Sequence, residues 1–318
     1  MHYDVFNGDA DGIIALLQLR LAEPKASMLV SGVKRDIQLL EKLSVNPGDS
    51  VVALDISMEQ NKVGLEALLA AGASVFYADH HKCGDIPQHA NLATHIDLDP
   101  NTCTALIIDK LLNGRFHTWA ITAAYGDNLI TKAEQLADDA KLSSQQKEQL
   151  KELGTLINYN GYGAKLEDLH FDPVRLFQQL LAYDDPFAVI ADQASPFYVL
   201  RAAYQQDMDK ALAIAPKYHS EKLGLFELPN DAFSRRISGV YGNLLANQNP
   251  DSAHAVLTTN LDGTYTVSLR APLNNKQGAG DICSQFPSGG GRAAAAGINA
   301  LEQTDLERFI ETVESYYS

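Results

Sequence analysis

The sequence predicts an α/β protein: an N-terminal parallel sheet with helices on both faces, followed by a smaller C-terminal α+β domain. Two observations predict the first part. Short apolar runs alternate with segments whose apolar residues recur at i, i+3 and i+4, the pattern of repeated βαβ units. Four hydrophobic segments also deliver an acid or an imidazole at or just past their C-terminal end, where open α/β sheets bind ligands. A third observation predicts the second part: an Asp-Gly hairpin signal, short strands and a terminal amphipathic helix follow the midpoint.

In chain order, residues 3–6, 27–30, 51–54, 75–78 and 92–96 read as strands. Residues 13–21, 37–43, 59–71, 104–112 and 116–124 read as helices, followed by one long polar helix over 130–153 and another over 174–183. Asp184-Asp185-Pro186 and Ser195-Pro196 punctuate the chain there. Residues 1–185 are therefore read as the first domain, 186–205 as a linker and 206–318 as the second domain. In the latter, 234–245 reads as a helix. Residues 253–258 and 265–270 read as strands joined by Asn260-Leu261-Asp262-Gly263, and 279–286 as a short helix. Thr304 with Glu307 fits a capping box for a last helix over 304–316.

The chain has 318 residues, 46% apolar and 20% charged, which supports real cores rather than disorder. No apolar run approaches the roughly 20 residues of a membrane span. The N-terminus enters a strand at once, without a basic or signal-like segment. The three cysteines form no C-x-x-C pair, so a cytoplasmic protein is expected. A net charge of −15 disfavours broad binding to long nucleic acid, which needs a basic stripe.

The acids and imidazoles at the ends of these hydrophobic segments are Asp9 and Asp11, Asp55, Asp79-His80-His81, and Asp127. Crowded carboxylates repel one another unless a cation compensates, and a divalent metal is the simplest one. Each residue also has a plainer reading. Asp11 could cap a helix starting at Ile13, Asp55 could cap a helix, and Gly126-Asp127-Asn128 is ordinary turn composition. Asp79 can orient an imidazole as a hydrogen-bond acceptor. Cys83 is disfavoured as a ligand because hard oxygens dominate the set. Lys34-Arg35 reads as a solvated helix start, with a phosphate contact as the alternative.

The order Asp-x-Asp, strand-end Asp, Asp-His-His, Asp resembles the motif set of the DHH phosphoesterase superfamily. The segment Gly289-Gly290-Gly291-Arg292-Ala293-Ala294-Ala295-Ala296-Gly297 resembles the signature of the DHHA1 domain that often follows it. The resemblance implies two Mn2+ ions, with Mg2+ or Co2+ as alternatives. Asp9 would sit on the first ion and Asp11, His80 and Asp127 on the second. Asp55 would bridge them, and His81 would contact the scissile phosphate. In the second domain Arg270, Gly289, Gly290, Gly291 and Arg292 would bind substrate, the glycines through backbone N–H groups ahead of a helix starting at Ala293. Two departures stand out: Val5 where many members carry a His, which members resembling RecJ also lack and for which Asn7 could partly substitute, and Arg292 where His is usual.

The implied activity is a manganese-dependent phosphodiesterase acting on cyclic or linear dinucleotides or very short oligonucleotides. The alternatives are a single-strand exonuclease similar to RecJ and a catalytically weakened nucleotide-binding regulator. No long nucleic acid or membrane is expected as a partner, and a homodimer is compatible with the reading.

Overall fold

In the computed structural model, which describes residues 1–318, β1 (His2–Phe6), β2 (Met28–Val30), β3 (Ser50–Leu54), β4 (Ser74–Asp79) and β5 (Leu92–Ile96) form one sheet. Its order is β2-β1-β3-β4-β5, and every neighbouring pair is parallel. Tyr3, Val5, Val51, Ala53, Val75 and Tyr77 pack in one core with Leu65, Leu68 and Leu69. Those leucines belong to α2 (Lys62–Ala70), which follows α1 (Ala10–Ala22). β1 is buried along its whole length, as are the last four residues of β3. Burial on both faces explains why these strands read as continuous apolar runs rather than alternating ones. The chain order reverses between β1 and β3, and such a switch point opens a crevice at the carboxyl ends of the strands.

The other helices of this unit are α3 (Thr104–Leu111), α4 (His117–Gly126), α5 (Ile130–Asp139), α6 (Ser144–Gly161), α7 (Pro173–Leu180) and α8 (Pro186–Ala191). The chain divides into two units, Met1–Ala203 and Tyr204–Ser318, and the division falls within α9 (Pro196–Leu212). Residues 186–205, read as a linker from composition, are thus mostly helical.

Three expectations in the first unit change. Residues 37–43 hold a single 3-10 turn, Leu40–Lys42, not a helix. Buried Asn61 accepts from the Leu40 N–H (3.1 Å) and donates to the Ile37 carbonyl (2.6 Å), so a side chain takes up backbone groups that a helix would pair. The long polar helix is two. Lys141 adopts φ 57° after α5, and Ser143 opens α6 with a capping box to Gln146. The first helix is capped by Asp9, not Asp11, and starts at Ala10.

In the second unit β6 (Tyr218–His219), β7 (Leu223–Leu228), β8 (Ala253–Thr259), β9 (Tyr265–Arg270), β10 (Gly289–Gly291) and β11 (Ala295–Leu301) form a sheet in the order β10-β11-β9-β8-β7-β6. β7 and β8 are parallel and are joined by α10 (Ala232–Gln248); the other pairs are antiparallel. A helical crossover is what a parallel pair requires. Leu225, Leu257, Val267, Leu269 and Ile298 share a core with Ile282 of α11 (Ala279–Cys283) and Phe309 of α12 (Leu306–Tyr317).

Two expectations change here as well. The helix expected from Ala293 is absent: Gly289–Gly291 is an edge strand, and Ala295 and Ala296 pair with Arg270 and Leu269. The capping box of the last helix does not form, because Thr304 lies in the 3-10 turn Gln303–Asp305 and α12 begins at Leu306.

Candidate metal centre

β1 ends at Phe6, and a tight turn leads into α1. A Cβ on Gly8 would lie 1.9 Å from the Gly32 carbonyl oxygen, so this turn has room only for glycine. Asp9 Oδ1 then accepts from the N–H groups of Asp11 (3.0 Å) and Gly12 (3.1 Å). Its other oxygen accepts from Lys34 Nζ at 2.5 Å. Asp11, in the first turn of α1, accepts from the N–H groups of Thr104 and Ala105, both at 2.7 Å. A carboxylate at the start of α3 also faces the positive end of that helix. Each Asp11 oxygen keeps a lone pair for another partner.

Asp55 follows β3 in the left-handed region, at φ 58°. Its N–H donates to the Ala78 carbonyl (3.1 Å), and its Oδ1 accepts from Thr104 Oγ1 (3.2 Å). Non-glycine residues rarely adopt this conformation, which costs roughly 1–2 kcal/mol. Such strain persists where surrounding structure enforces it, typically at functional sites.

β4 delivers Asp79-His80-His81. His80 Nε2 lies 3.4 Å from Asp55 Oδ1 and 3.7 Å from Asp11 Oδ2. His81 Nδ1 bonds Asp79 Oδ1 at 2.7 Å and lies 3.8 Å from Asp55 Oδ1. The second Asp79 oxygen is buried without a partner. Asp127, the C-terminal cap of α4, stands 3.9 Å from Lys34 Nζ.

The structure therefore brings Asp9, Asp11, Asp55, His80, His81 and Asp79 together at the carboxyl ends of β1, β3 and β4, with Asp127 reaching the same group through Lys34. Asp9, Asp11, Asp55 and Asp79 are each at most 3% exposed. Four buried carboxylates with one ammonium in contact leave uncompensated negative charge, which is costly in a low-dielectric interior. Burial, then the charges of Asp11, Asp9, Asp79 and Asp127, hold the Asp55 carboxyl well above its usual range. Burial also raises Asp127; Lys34 opposes this, Asp11 and Asp9 reinforce it, and the result is about 6. Burial would raise Asp9 too, but the charge and hydrogen bond of Lys34 outweigh it and bring it down to about 2. Burial works against a charged His81, yet the hydrogen bond and charge of Asp79 prevail and raise its pKa.

A divalent cation would answer the excess charge, and the donors fit one. Octahedral ligands at about 2.1 Å from an ion stand about 3 Å apart when adjacent and about 4 Å apart when opposite. The donor atoms of Asp55, His80 and His81 all lie within 4.8 Å of one another, and Asp11 adds an oxygen 3.7 Å from His80. Carboxylate oxygen with imidazole nitrogen suits Mn2+ and similar ions.

Lys34, read from the sequence as a solvated helix start, instead turns inward to Asp9 and Asp127. It follows β2 in Ser31-Gly32-Val33-Lys34, so the same strand-end rule that selects the acids selects it. Sequence reasoning missed Thr104, Asn158 and Tyr162, which steady Asp55 and Lys34.

The expected substrate residues lie in the second unit. Arg270, partly buried, donates to Asn243 Oδ1 (2.6 Å), Ser268 Oγ (3.1 Å) and the Gly239 carbonyl (3.2 Å). Arg292 is exposed and follows the edge strand Gly289–Gly291. β11 pairs with β9 on one side and with that glycine strand on the other.

Residues 220–318 match the family model of the DHHA1 domain. A search of curated protein sequences finds no match. Among solved structures, an exonuclease RecJ bound to manganese is similar over 99% of this chain and 89% of its own, at 16% identity and a TM-score of 0.61. RecJ from Thermus thermophilus, in complex with Mn2+, is similar over 99% of this chain at 16% identity and a TM-score of 0.65; this chain spans 52% of it. The pGpG-specific phosphodiesterase PggH from Vibrio cholerae is similar over 99% of this chain and 98% of its own, at 14% identity and a TM-score of 0.57. Residues 220–318 thus match the DHHA1 domain, and the chain as a whole shares its fold with RecJ and PggH.

Proposed function

We propose that this chain is a divalent-metal-dependent phosphodiesterase, with Mn2+ the favoured ion, that hydrolyses dinucleotides or very short oligonucleotides. The observation that carries this reading is the buried group Asp11, Asp55 and His80, with the Asp79–His81 pair beside it, at the switch point of a parallel sheet. Asp11, Asp55 and His80 would hold the ion, with Asp127 as a further carboxylate. Bound there, the ion supplies charge neutralisation for a phosphate and lowers the pKa of water.

The chain's own groups do the rest. Thr104 and the N-terminus of α3 fix Asp55 and Asp11. Asp79 fixes the His81 ring through Nδ1 and favours its protonated form, so the imidazolium can donate to a phosphate oxygen. In the DHHA1 domain, exposed Arg292 offers a planar fork to phosphate, and open space above Gly290 lets an anion approach the backbone. Arg270 is already bonded within its own unit, so its role there is to brace the sheet beside them.

A net charge of −15 favours small substrates over long nucleic acid. Similarity to PggH over nearly its full length supports a linear dinucleotide in particular. The test is chromatographic product analysis with Mn2+ and with a chelator. The substrates are pGpG, a cyclic dinucleotide, a long single-stranded DNA and pyrophosphate. Metal-dependent cleavage confined to dinucleotides is expected. Processive digestion of the long strand would turn the reading toward an exonuclease. No cleavage of any substrate, with tight dinucleotide binding, would replace it with a nucleotide-binding regulator.

A further inference from the structure

We propose that the ammonium of Lys34 occupies the place of the first of the two cations that the family resemblance implies. This chain then holds one divalent ion, on the side of Asp11, Asp55 and His80, and supplies the other positive charge itself. The proposal rests on the metal-dependent reading above and refines it.

Asp9 is the residue on which a first ion would sit, and both its oxygens are engaged. Oδ1 takes the N–H groups that start α1, and Oδ2 takes Lys34 Nζ at 2.5 Å. The ammonium also donates to Asn158 Oδ1 (3.1 Å), stands 3.9 Å from Asp127 Oδ1, and lies 5.4 Å from the centre of the Tyr162 ring. Two carboxylates, an amide oxygen and an aromatic ring around one point make a cation site, and a lysine fills it.

The backbone of Lys34 is anchored as well. Its N–H donates to the Gly161 carbonyl (2.9 Å), and its carbonyl accepts from Asn7 Nδ2 (3.3 Å). The fold therefore delivers the ammonium here, and only the side chain's own rotations are left to settle. The donors for a first ion are correspondingly poor. Val5, fully buried, stands where many members of the family carry a His, and a valine has no atom to give a metal; Asn7, whose buried Oδ1 has no partner, is left as the substitute donor. An ion placed beside Asp9 would also meet the lysine's like charge at close range. The Asp11, Asp55 and His80 group meets no ammonium directly: its close polar contacts are N–H groups, a hydroxyl, imidazoles and the Asp9 carboxylate.

The experiment counts ions on the full-length protein. Mn2+ bound at saturation is measured by equilibrium dialysis and elemental analysis, for wild type, Lys34→Met and Lys34→Arg, with circular dichroism melts checking the fold. One ion is expected for wild type, two for Lys34→Met, and one for Lys34→Arg. The Mn2+ resonance spectrum of loaded wild type supplies a second readout that needs no variant. An isolated six-line signal is expected, and the multiline signal of a coupled pair would overturn the proposal. Two ions in wild type would sink the role of Lys34 while leaving the metal-dependent reading standing. No bound ion would sink that reading and this proposal with it. A single ion in folded Lys34→Met would show that the ammonium is not what excludes the second.

Discussion

At the residue scale, Asp55 combines three costs: a left-handed backbone, nearly complete burial, and four neighbouring carboxylates that oppose its charge. Nothing in the apoprotein's own stability favours that combination, so a ligand for its carboxylate accounts for it best. This separates two substitutions that would otherwise look alike. Asp55→Ala and Asp55→Gly both remove the carboxylate, and each is expected to lower phosphodiesterase activity by about 100-fold or more, the scale of losing one transition-state stabilising group. Only alanine keeps the backbone penalty, about 1 kcal/mol relative to glycine. The metal-free glycine variant should therefore melt a few degrees above the alanine variant. Equal melting points would mean that the left-handed conformation is not enforced, and retained activity would remove Asp55 from the site.

At the element scale, the helices behind the site meet through backbone rather than side chains. A Cβ on Gly154 of α6 would sit 2.1 Å from the Thr122 carbonyl oxygen of α4, and one on Gly126 would sit 2.8 Å from the Gly154 oxygen. Asp127 caps α4, so separating the two helices moves a site carboxylate. Gly154→Ala is expected to cost about 1–3 kcal/mol by overpacking and to weaken Mn2+ binding although residue 154 touches no ligand. Calorimetric melts and Mn2+ titration of that variant check both effects, and unchanged metal affinity would uncouple the helix pair from the site. The elements legible in the sequence were those whose own residues decide them. β1, β3 and β4 are apolar runs ended by acids, and β8 and β9 are joined by an Asp-Gly turn. The others depend on partners far along the chain. Asn61 unmakes the helix expected at 37–43, and pairing with β9 turns the alanines after Arg292 into a strand. Lys34 was read as a solvated helix start because a Lys-Arg pair after a short strand looks like solvent-facing charge until Asp9, Asp127 and Asn158 surround the lysine.

At the scale of the whole molecule, the two units respond to different solution variables. If Met1–Ala203 holds the proposed ion among its buried carboxylates, its stability depends on metal, because an ion that binds only the folded state stabilises it by mass action. At 100-fold excess over Kd that is about 2.7 kcal/mol, or roughly 5–10 °C for a unit of this size. Chelation should lower the melting temperature of this unit by that amount, and an unchanged melt would count against a bound ion. Tyr204–Ser318 carries a pH dependence of its own. His254, in β8, is buried, its Nδ1 has no partner, and burial lowers its pKa to about 4. In the unfolded chain the same ring titrates near about 6.5. Between those values the unfolded state binds the extra proton, so the contribution is complete above about pH 6.5 and is lost as pH falls through about 4. His254→Gln removes this titration, so the difference in unfolding free energy between wild type and variant should shift toward the variant across that window, whatever the carboxylates contribute to both. Parallel pH profiles for the two proteins would show that His254 is protonated without strain in the folded state. The pH dependence of the DHHA1 unit would then have to come from its other groups.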